Sequence, residues 1–82
     1  MLKKHFSINA SLTKARVAIL DGRTDDGIEE LRQAIFESAK LSRADGRTNV
    51  EGILKFAHEN DVYEEVEMLL DENLRKVFYD GD

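Results

Sequence analysis

The chain has no cysteine and no proline, and it contains no long apolar run. Without cysteine it cannot form a disulfide framework, a thiolate metal site or a cysteine nucleophile. Its uninterrupted apolar stretches are short, whereas a membrane span needs about 18 residues. The basic N-terminal residues are not followed by an apolar segment, so we expect no signal peptide and no membrane insertion. These absences predict a soluble, cytoplasmic protein.

The overall composition is typical of one small globular domain. Hydrophobic residues make up 41% and charged residues 35% of the 82 residues. That is too apolar for a disordered segment and too polar for a membrane protein. Because this length allows one domain, we expect residues 1–82 to form a single helical domain, with residues 1–8 as a partly ordered N-terminal arm.

The net charge of −5 is distributed unevenly along the chain. Residues 1–47 contain nine Lys and Arg against seven Asp and Glu, a balance of +2, whereas residues 48–82 contain three against ten, a balance of −7. An acidic surface repels phosphate backbones and attracts basic surfaces. The alternative interpretation is that these charges only solvate the outer faces of helices.

The tetrapeptide DGRT occurs at residues 21–24 and again at 45–48. In each copy the glycine can adopt the left-handed conformation that ends a helix. The threonine can then accept a hydrogen bond from the free amides of the next helix. Asp61, followed by Glu64, has the same spacing as a third helix start. We therefore expect a helix boundary at each of these three places.

These boundaries and the spacing of the apolar residues predict helices at 10–21, 25–44, 49–59 and 62–79. Short connections favour antiparallel neighbours, so we expect an all-α fold, a small bundle of about four helices built as two helical hairpins. Asn73 lies within the apolar stripe of the last segment. It either bonds a backbone carbonyl or water at the edge of the stripe, or fixes the register of a helix contact within the chain or in a dimer.

Carboxylates are plentiful, but we expect them on solvent-facing helix surfaces without a pocket that would suit them to catalysis. His5 and His58 are the only histidines, and no carboxylate lies four residues before or after His58. The residues around Gly46 do not match a calcium-binding loop, and the glycines are too isolated to form a phosphate-binding loop. We therefore expect no catalytic residue, no metal site and no cofactor, and we expect that the protein is not an enzyme.

Segment 49–59 and the residues before it superficially resemble a helix-turn-helix. The segment contains one lysine against two glutamates, whereas a helix that reads the major groove is normally accompanied by several phosphate-neutralising residues. We therefore expect no direct binding of nucleic acid.

The first candidate surface, the acidic ridge, combines acidic side chains with one methionine on the last predicted helix and the residues leading into it. Its members are Glu59, Asp61, Glu64, Glu65, Glu67, Met68, Asp71 and Glu72. A rigid acidic surface with one adaptable apolar side chain can steer and dock a basic partner. The alternative is that the methionine is a singly exposed apolar residue, which is common.

The second candidate surface, the helix-two patch, places an aromatic and an aliphatic side chain between basic groups. Its members are Arg32, Phe36, Lys40 and Leu41. We expect Leu41 to point outward and Phe36 to lie at the flank of the apolar face. Exposed aromatic residues beside basic groups are typical of interaction hot spots. The alternative is that the aromatic ring only closes the edge of the core.

The sequence therefore favours a non-catalytic regulator that controls a larger protein partner, one with a basic surface, through a charged helical face. Very small acidic chains without cysteine include many accessory and inhibitory proteins of phages and plasmids, such as lysis-timing regulators, antitoxins and host-takeover proteins. Size class alone, and no motif, supports that expectation. Two alternatives stay open: a homo-oligomeric structural or adaptor module, such as a homodimer that pairs the +2 half with the −7 half, and an acidic inhibitor that mimics nucleic acid.

Overall fold

The computed structural model describes residues 8–70 and 72–78. That part of the chain contains five α-helices and no β-strand: α1 (Asn9–Leu20), α2 (Thr24–Ser38), α3 (Arg43–Glu59), α4 (Tyr63–Leu69) and α5 (Glu72–Phe78). The predicted all-α bundle with short connections is confirmed, with the last predicted helix divided into two.

All five helices contribute to one apolar core. The large apolar side chains with almost no exposure are Leu31, Ile35, Val50, Ile53, Val66 and Phe78. They come from α2 to α5, and α1 adds the fully buried Ala15. Burying a Val, Leu, Ile or Phe side chain contributes about 1.5–3 kcal/mol, so this cluster is the main source of stability.

A tight turn at the first DGRT copy connects α1 and α2. Gly22 has a φ of +83°, as predicted for a glycine that ends a helix. The predicted cap at Thr24 is wrong, because Thr24 is already helical and no side chain caps the first turn of α2. Instead, the Arg23 guanidinium lies 3.1 Å from an oxygen of Asp21 and 3.4 Å from one of Asp26. These ion pairs bridge the two ends of the turn.

The second DGRT copy lies inside α3, so the prediction that it separates two helices is wrong. The break falls earlier, at residues 39–42, and Ser42 caps α3 by accepting a hydrogen bond from the Asp45 N–H at 3.2 Å. Gly46 is buried, and a β-carbon there would lie 2.7 Å from the carbonyl oxygen of Ser38. A close approach of α2 and α3, rather than a turn, therefore requires this glycine.

Two other predicted caps are wrong for related reasons. Thr48 lies within α3, where its hydroxyl donates to the carbonyl oxygen of Ala44 at 3.0 Å, the usual bond of a threonine inside a helix. Asp61 has a φ of +60° and reverses the chain after α3. α4 then begins after Val62 without a side-chain cap. The predicted helix boundary near residue 61 is correct, but the predicted capping of α4 by the Asp61 side chain is wrong.

The predicted helix over 62–79 is interrupted at Leu70, which has a ψ of 72° and leaves the helical conformation. Nε of Arg75 donates to the Leu70 carbonyl oxygen at 3.0 Å, which bonds α5 to the end of α4. At the other end of α5, Nε of Arg47 donates to the Phe78 carbonyl oxygen at 2.8 Å. α5 is therefore held against α3 instead of continuing along the axis of α4.

Residues 1–7, 71 and 79–82 lie outside the described part of the chain, as do the side chains of Glu72, Asn73 and Val77. The predicted N-terminal arm and the proposed register role of Asn73 therefore stay predictions.

Candidate protein-binding surfaces

The acidic ridge begins at the end of α3 and continues along α4. Its described members, all of them exposed, are Glu59, Asp61, Glu64, Glu65, Glu67 and Met68. Met68 is 82% exposed. It follows Glu64 by four residues and Glu65 by three, so these three side chains share one face of α4. Asp71 and the side chain of Glu72 lie outside the described residues, and their place in the ridge stays a prediction.

A series of side-chain contacts fixes the start of α4 beside this face. The rings of His58 and Tyr63 are stacked, with 3.8 Å between centroids and 19° between planes. The Tyr63 hydroxyl donates to Oε2 of Glu67 at 3.2 Å, and Nη2 of Arg75 lies 3.8 Å from the same oxygen. Glu67 therefore links α4 to α5 and is partly neutralised.

Glu64 and Glu65 differ from Glu67 in having no such partner. Within the described residues, their side chains make no ion pair or hydrogen bond. Both lie in the first turn of α4, where the helix dipole stabilises negative charge. Together with Met68 they form the part of the acidic ridge on α4 that is exposed and has no side-chain partner among the described residues.

In the helix-two patch, Arg32 is already engaged by a neighbouring carboxylate. Its Nε and Nη2 lie 3.0 and 2.6 Å from the two oxygens of Glu29, and Gln33 donates to the same carboxylate at 3.0 Å. Hydrogen bonds from Arg32 and Gln33 lower the pKa of the Glu29 carboxyl from 4.5 to about 2, and the bond from Arg32 has the larger effect. The Arg32 guanidinium also lies 5.2 Å from the ring centroid of Phe36, a cation–π arrangement.

The rest of the helix-two patch does not form one helical face. Phe36 is 41% exposed, but α2 ends at Ser38, so Lys40 and Leu41 lie in the connection to α3. Nζ of Lys40 lies 3.1 Å from Oε2 of Glu37. Leu41 is half-buried, and the prediction that it points outward is wrong because α2 does not continue to residue 44. The structure therefore leaves Phe36, beside a paired arginine, as the apolar feature of this surface.

A further exposed apolar surface, absent from the sequence predictions, lies on α1. Val17 and Leu20 are 56% and 74% exposed. Val17 borders a groove of about 530 Å³ between α1 and α2, whose other lining residues are Thr13, Lys14, Ala18, Arg23, Asp26, Glu29 and Glu30. The sequence signal was the excess of apolar residues in α1, which has more of them than one buried face can hold.

The described residues contain no group of three or more His, Asp or Glu side chains arranged to hold a metal ion. No helix in the described ranges combines the length and apolar character needed to cross a membrane. In comparisons with protein families, curated proteins and solved structures, no match to this chain was found.

Proposed function

We propose that this protein is a non-catalytic regulator that binds a larger protein through the acidic ridge. The observation that carries the proposal is the outer face of α4, where Glu64, Glu65 and Met68 are exposed together. Carboxylates at such a surface attract basic groups over roughly the Debye length, ~8 Å at physiological ionic strength. Met68 supplies an adaptable apolar contact once the two surfaces meet.

The fixed geometry of α4 supports this proposal. The stacking of Tyr63 on His58 and the bond from Tyr63 to Glu67 restrain the start of α4 before any partner arrives. A surface that is ordered in advance loses less conformational entropy on binding. The partner that fits is a protein with a Lys- and Arg-rich surface around a shallow apolar depression.

Control by covering a partner's surface needs no catalytic group in the protein that covers it. We propose a cytoplasmic accessory or inhibitory protein of the phage or plasmid type, a class in which many members are acidic and lack cysteine, as this chain does. In that role, the ridge would block the basic surface of its target or hold the target in one conformation.

The test compares two double charge reversals that change the net charge equally. A partner is captured with the wild-type chain, purified, and titrated against Glu64→Lys/Glu65→Lys and against the control Asp25→Lys/Glu51→Lys, whose acidic side chains are exposed on α2 and α3. We expect the ridge variant to lose affinity by about tenfold or more, with a slower association rate, and the control to stay close to wild type.

Two further outcomes are informative. If the ridge variant binds the captured partner as tightly as wild type, while both variants keep the helical circular dichroism signal, the proposal is wrong. If DNA or RNA displaces the wild-type chain from its partner at low salt, the ridge acts as a mimic of nucleic acid on a nucleic-acid-binding protein.

A further inference from the structure

The chain contains four Asp–Gly pairs, at residues 21–22, 26–27, 45–46 and 80–81. An aspartate followed by glycine is prone to spontaneous isomerisation, because the backbone nitrogen of the glycine can attack the aspartate side chain and no β-carbon obstructs it. The aspartate must first rotate about its ψ angle until that nitrogen faces its own carboxyl group. The first three pairs lie in the described part of the chain, where the surrounding fold decides how freely each aspartate can rotate.

Two of these pairs are protected because their glycine is packed inside a helix. The N–H of Gly27 donates to the carbonyl oxygen of Arg23 at 3.1 Å, and the N–H of Gly46 donates to that of Ser42 at 2.8 Å. Both glycines are buried, and a β-carbon at either position would lie less than 3.0 Å from an atom of the neighbouring helix. Rotation of the preceding aspartate would break the helical bond and displace this packed backbone.

The pair at residues 21–22 lies instead in the exposed turn between α1 and α2. Gly22 has no atom within 4 Å of where its β-carbon would be, so its backbone is not packed. Asp21 lies just after the last residue of α1 and has a ψ of 5°. The Gly22 N–H donates to the carbonyl oxygen of Ile19 at 3.1 Å, a bond of the turn. Rotation of Asp21 breaks turn bonds only, and Gly22 can absorb it because glycine adopts either sign of φ.

The Arg23 guanidinium restrains the Asp21 carboxylate without removing it from reaction. The two groups are 3.1 Å apart, and their side chains are 52% and 67% exposed. Ion pairs at such exposed positions are weak, and salt screens them. Arg23 also lies 3.4 Å from Asp26, so it is shared between two carboxylates. The Asp21 side chain can therefore leave the arginine many times during the weeks over which isomerisation occurs.

We propose that Asp21 is a site of spontaneous isomerisation to isoaspartate, and that the folded protein reacts faster there than at the other two described pairs. The Gly22 nitrogen bonds to Cγ of the protonated Asp21 carboxyl, and the amide proton and the carboxyl OH leave as one molecule of water. Water then adds to the main-chain carbonyl carbon of Asp21 and breaks its bond to the nitrogen, so that the backbone runs through Cγ. The reaction needs no enzyme, oxidant or cofactor, and it does not depend on the acidic ridge.

The product lengthens the turn between α1 and α2 by one backbone atom. The turn is closed by a hydrogen bond from the Arg23 N–H to the carbonyl oxygen of Ala18 at 2.8 Å, and α1 and α2 pack tightly just beyond it, at Gly27. An added backbone atom cannot satisfy both the turn bond and this packing. We therefore expect the isomerised chain, once separated by chromatography, to unfold at a lower temperature than the original chain.

The experiment ages the full chain for several weeks at neutral pH and physiological temperature, both folded and in guanidinium chloride. Trypsin cuts after Lys and Arg, so the three described pairs fall in separate peptides, residues 17–23, 24–32 and 44–47. Chromatography with mass spectrometry separates each isoaspartyl peptide from the aspartyl peptide of equal mass. In the folded protein we expect peptide 17–23 to isomerise about tenfold or more faster than the other two, because turns open more readily than packed helices. In guanidinium chloride the three rates should be similar.

Two matched variants identify the reacting residue. Asp21→Glu keeps the charge but needs a larger ring that closes more slowly, so isomerisation in peptide 17–23 should be lost. Asp26→Glu makes the same change beside the packed Gly27 and should leave the rate in peptide 17–23 unchanged. Equal rates at the three pairs of the folded protein, or the same preference for peptide 17–23 in guanidinium chloride, would overturn the proposal.

Discussion

The ring of Phe78 in α5 packs directly against the backbone of Gly46 in α3. A β-carbon at residue 46 would lie 2.8 Å from the ring, closer than real β-carbons approach other atoms. The next residue, Arg47, donates from Nε to the Phe78 carbonyl oxygen at 2.8 Å. Gly46 and Arg47, both in the second DGRT copy, therefore anchor α5 to α3. Because Gly46 has no side chain, the ring of Phe78 can lie against the backbone of α3.

This contact predicts that Gly46→Ala destabilises the fold although alanine is the better helix former. Alanine gains about 1 kcal/mol of helix propensity over glycine. Forcing its methyl against the Ser38 carbonyl and the Phe78 ring costs more than that, since overpacking typically costs about 1–3 kcal/mol and the backbone carbonyl cannot rotate away. We expect a net loss of stability in urea unfolding followed by circular dichroism.

The control for this substitution lies in the same helix. A β-carbon at Gly52 would meet only the tip of the Ile8 side chain, at 3.2 Å. Gly52→Ala should therefore be neutral or stabilising by up to ~1 kcal/mol. If both alanine variants are equally stable, the close approach at Gly46 does not limit the fold.

The glycines of the two DGRT copies, Gly22 and Gly46, illustrate which parts of the fold were predictable from the sequence. The apolar spacing identified the helical segments, because burial of one face is a property that sequence periodicity expresses directly. The DGRT repeat was misinterpreted at its second copy, since a glycine needed for close packing and a glycine needed for a left-handed turn look identical in sequence. Ser42, which is the actual cap, stands where no repeat drew attention to it.

The candidate surfaces were predicted in part. The exposure of Glu64, Glu65 and Met68 follows from their position opposite the apolar stripe of α4. The contact of Arg75 with Glu67 was not predictable, because it depends on the break at Leu70. The exposed side of α1 with Val17 and Leu20 was missed, although α1 has more apolar residues than one buried face can hold.

The turn at Gly22 gives a second prediction. Its φ of +83° is strained for residues with a β-carbon, although no atom lies within 4 Å of where that carbon would be. Gly22→Ala should therefore cost about 1 kcal/mol from backbone strain alone. Gly22→Asn should cost less, because asparagine tolerates the left-handed conformation. Thermal unfolding of both variants checks this order. Equal stability of the alanine variant and wild type would contradict it.

The Glu29 carboxylate gives a prediction on pH dependence. Its pKa is lowered to about 2 from 4.5 by Arg32 and then Gln33. A carboxyl whose pKa is lower in the folded than in the unfolded state stabilises the fold when the pH is above its unfolded-state pKa. The contribution of Glu29 is therefore fully present above about pH 4.5 and is lost as the pH falls towards 2. Since the group is exposed, salt should weaken the effect.

Replacement of the arginine tests the cause of this shift. In Arg32→Met, carboxyl chemical shifts in an NMR titration should show the Glu29 pKa rising towards 4.5. Lys40→Met is the control, because Lys40 pairs with Glu37 and not with Glu29. A Glu29 pKa near 2 that persists in Arg32→Met would show that the arginine is not responsible.

Tyr63 makes two contacts, a ring stack on His58 and a hydrogen bond from its hydroxyl to Glu67, and substitutions can remove the two separately. Tyr63→Phe keeps the stack and removes the hydrogen bond to Glu67, so it should cost less than ~1 kcal/mol, as expected for an exposed bond. Tyr63→Ala also removes a half-buried ring and should cost about 1–3 kcal/mol more. Urea unfolding measures both values. If the phenylalanine variant loses as much stability as the alanine variant, the hydroxyl rather than the ring holds α4 against α3, and the ordered start of the acidic ridge depends on Glu67 instead of on the aromatic stack.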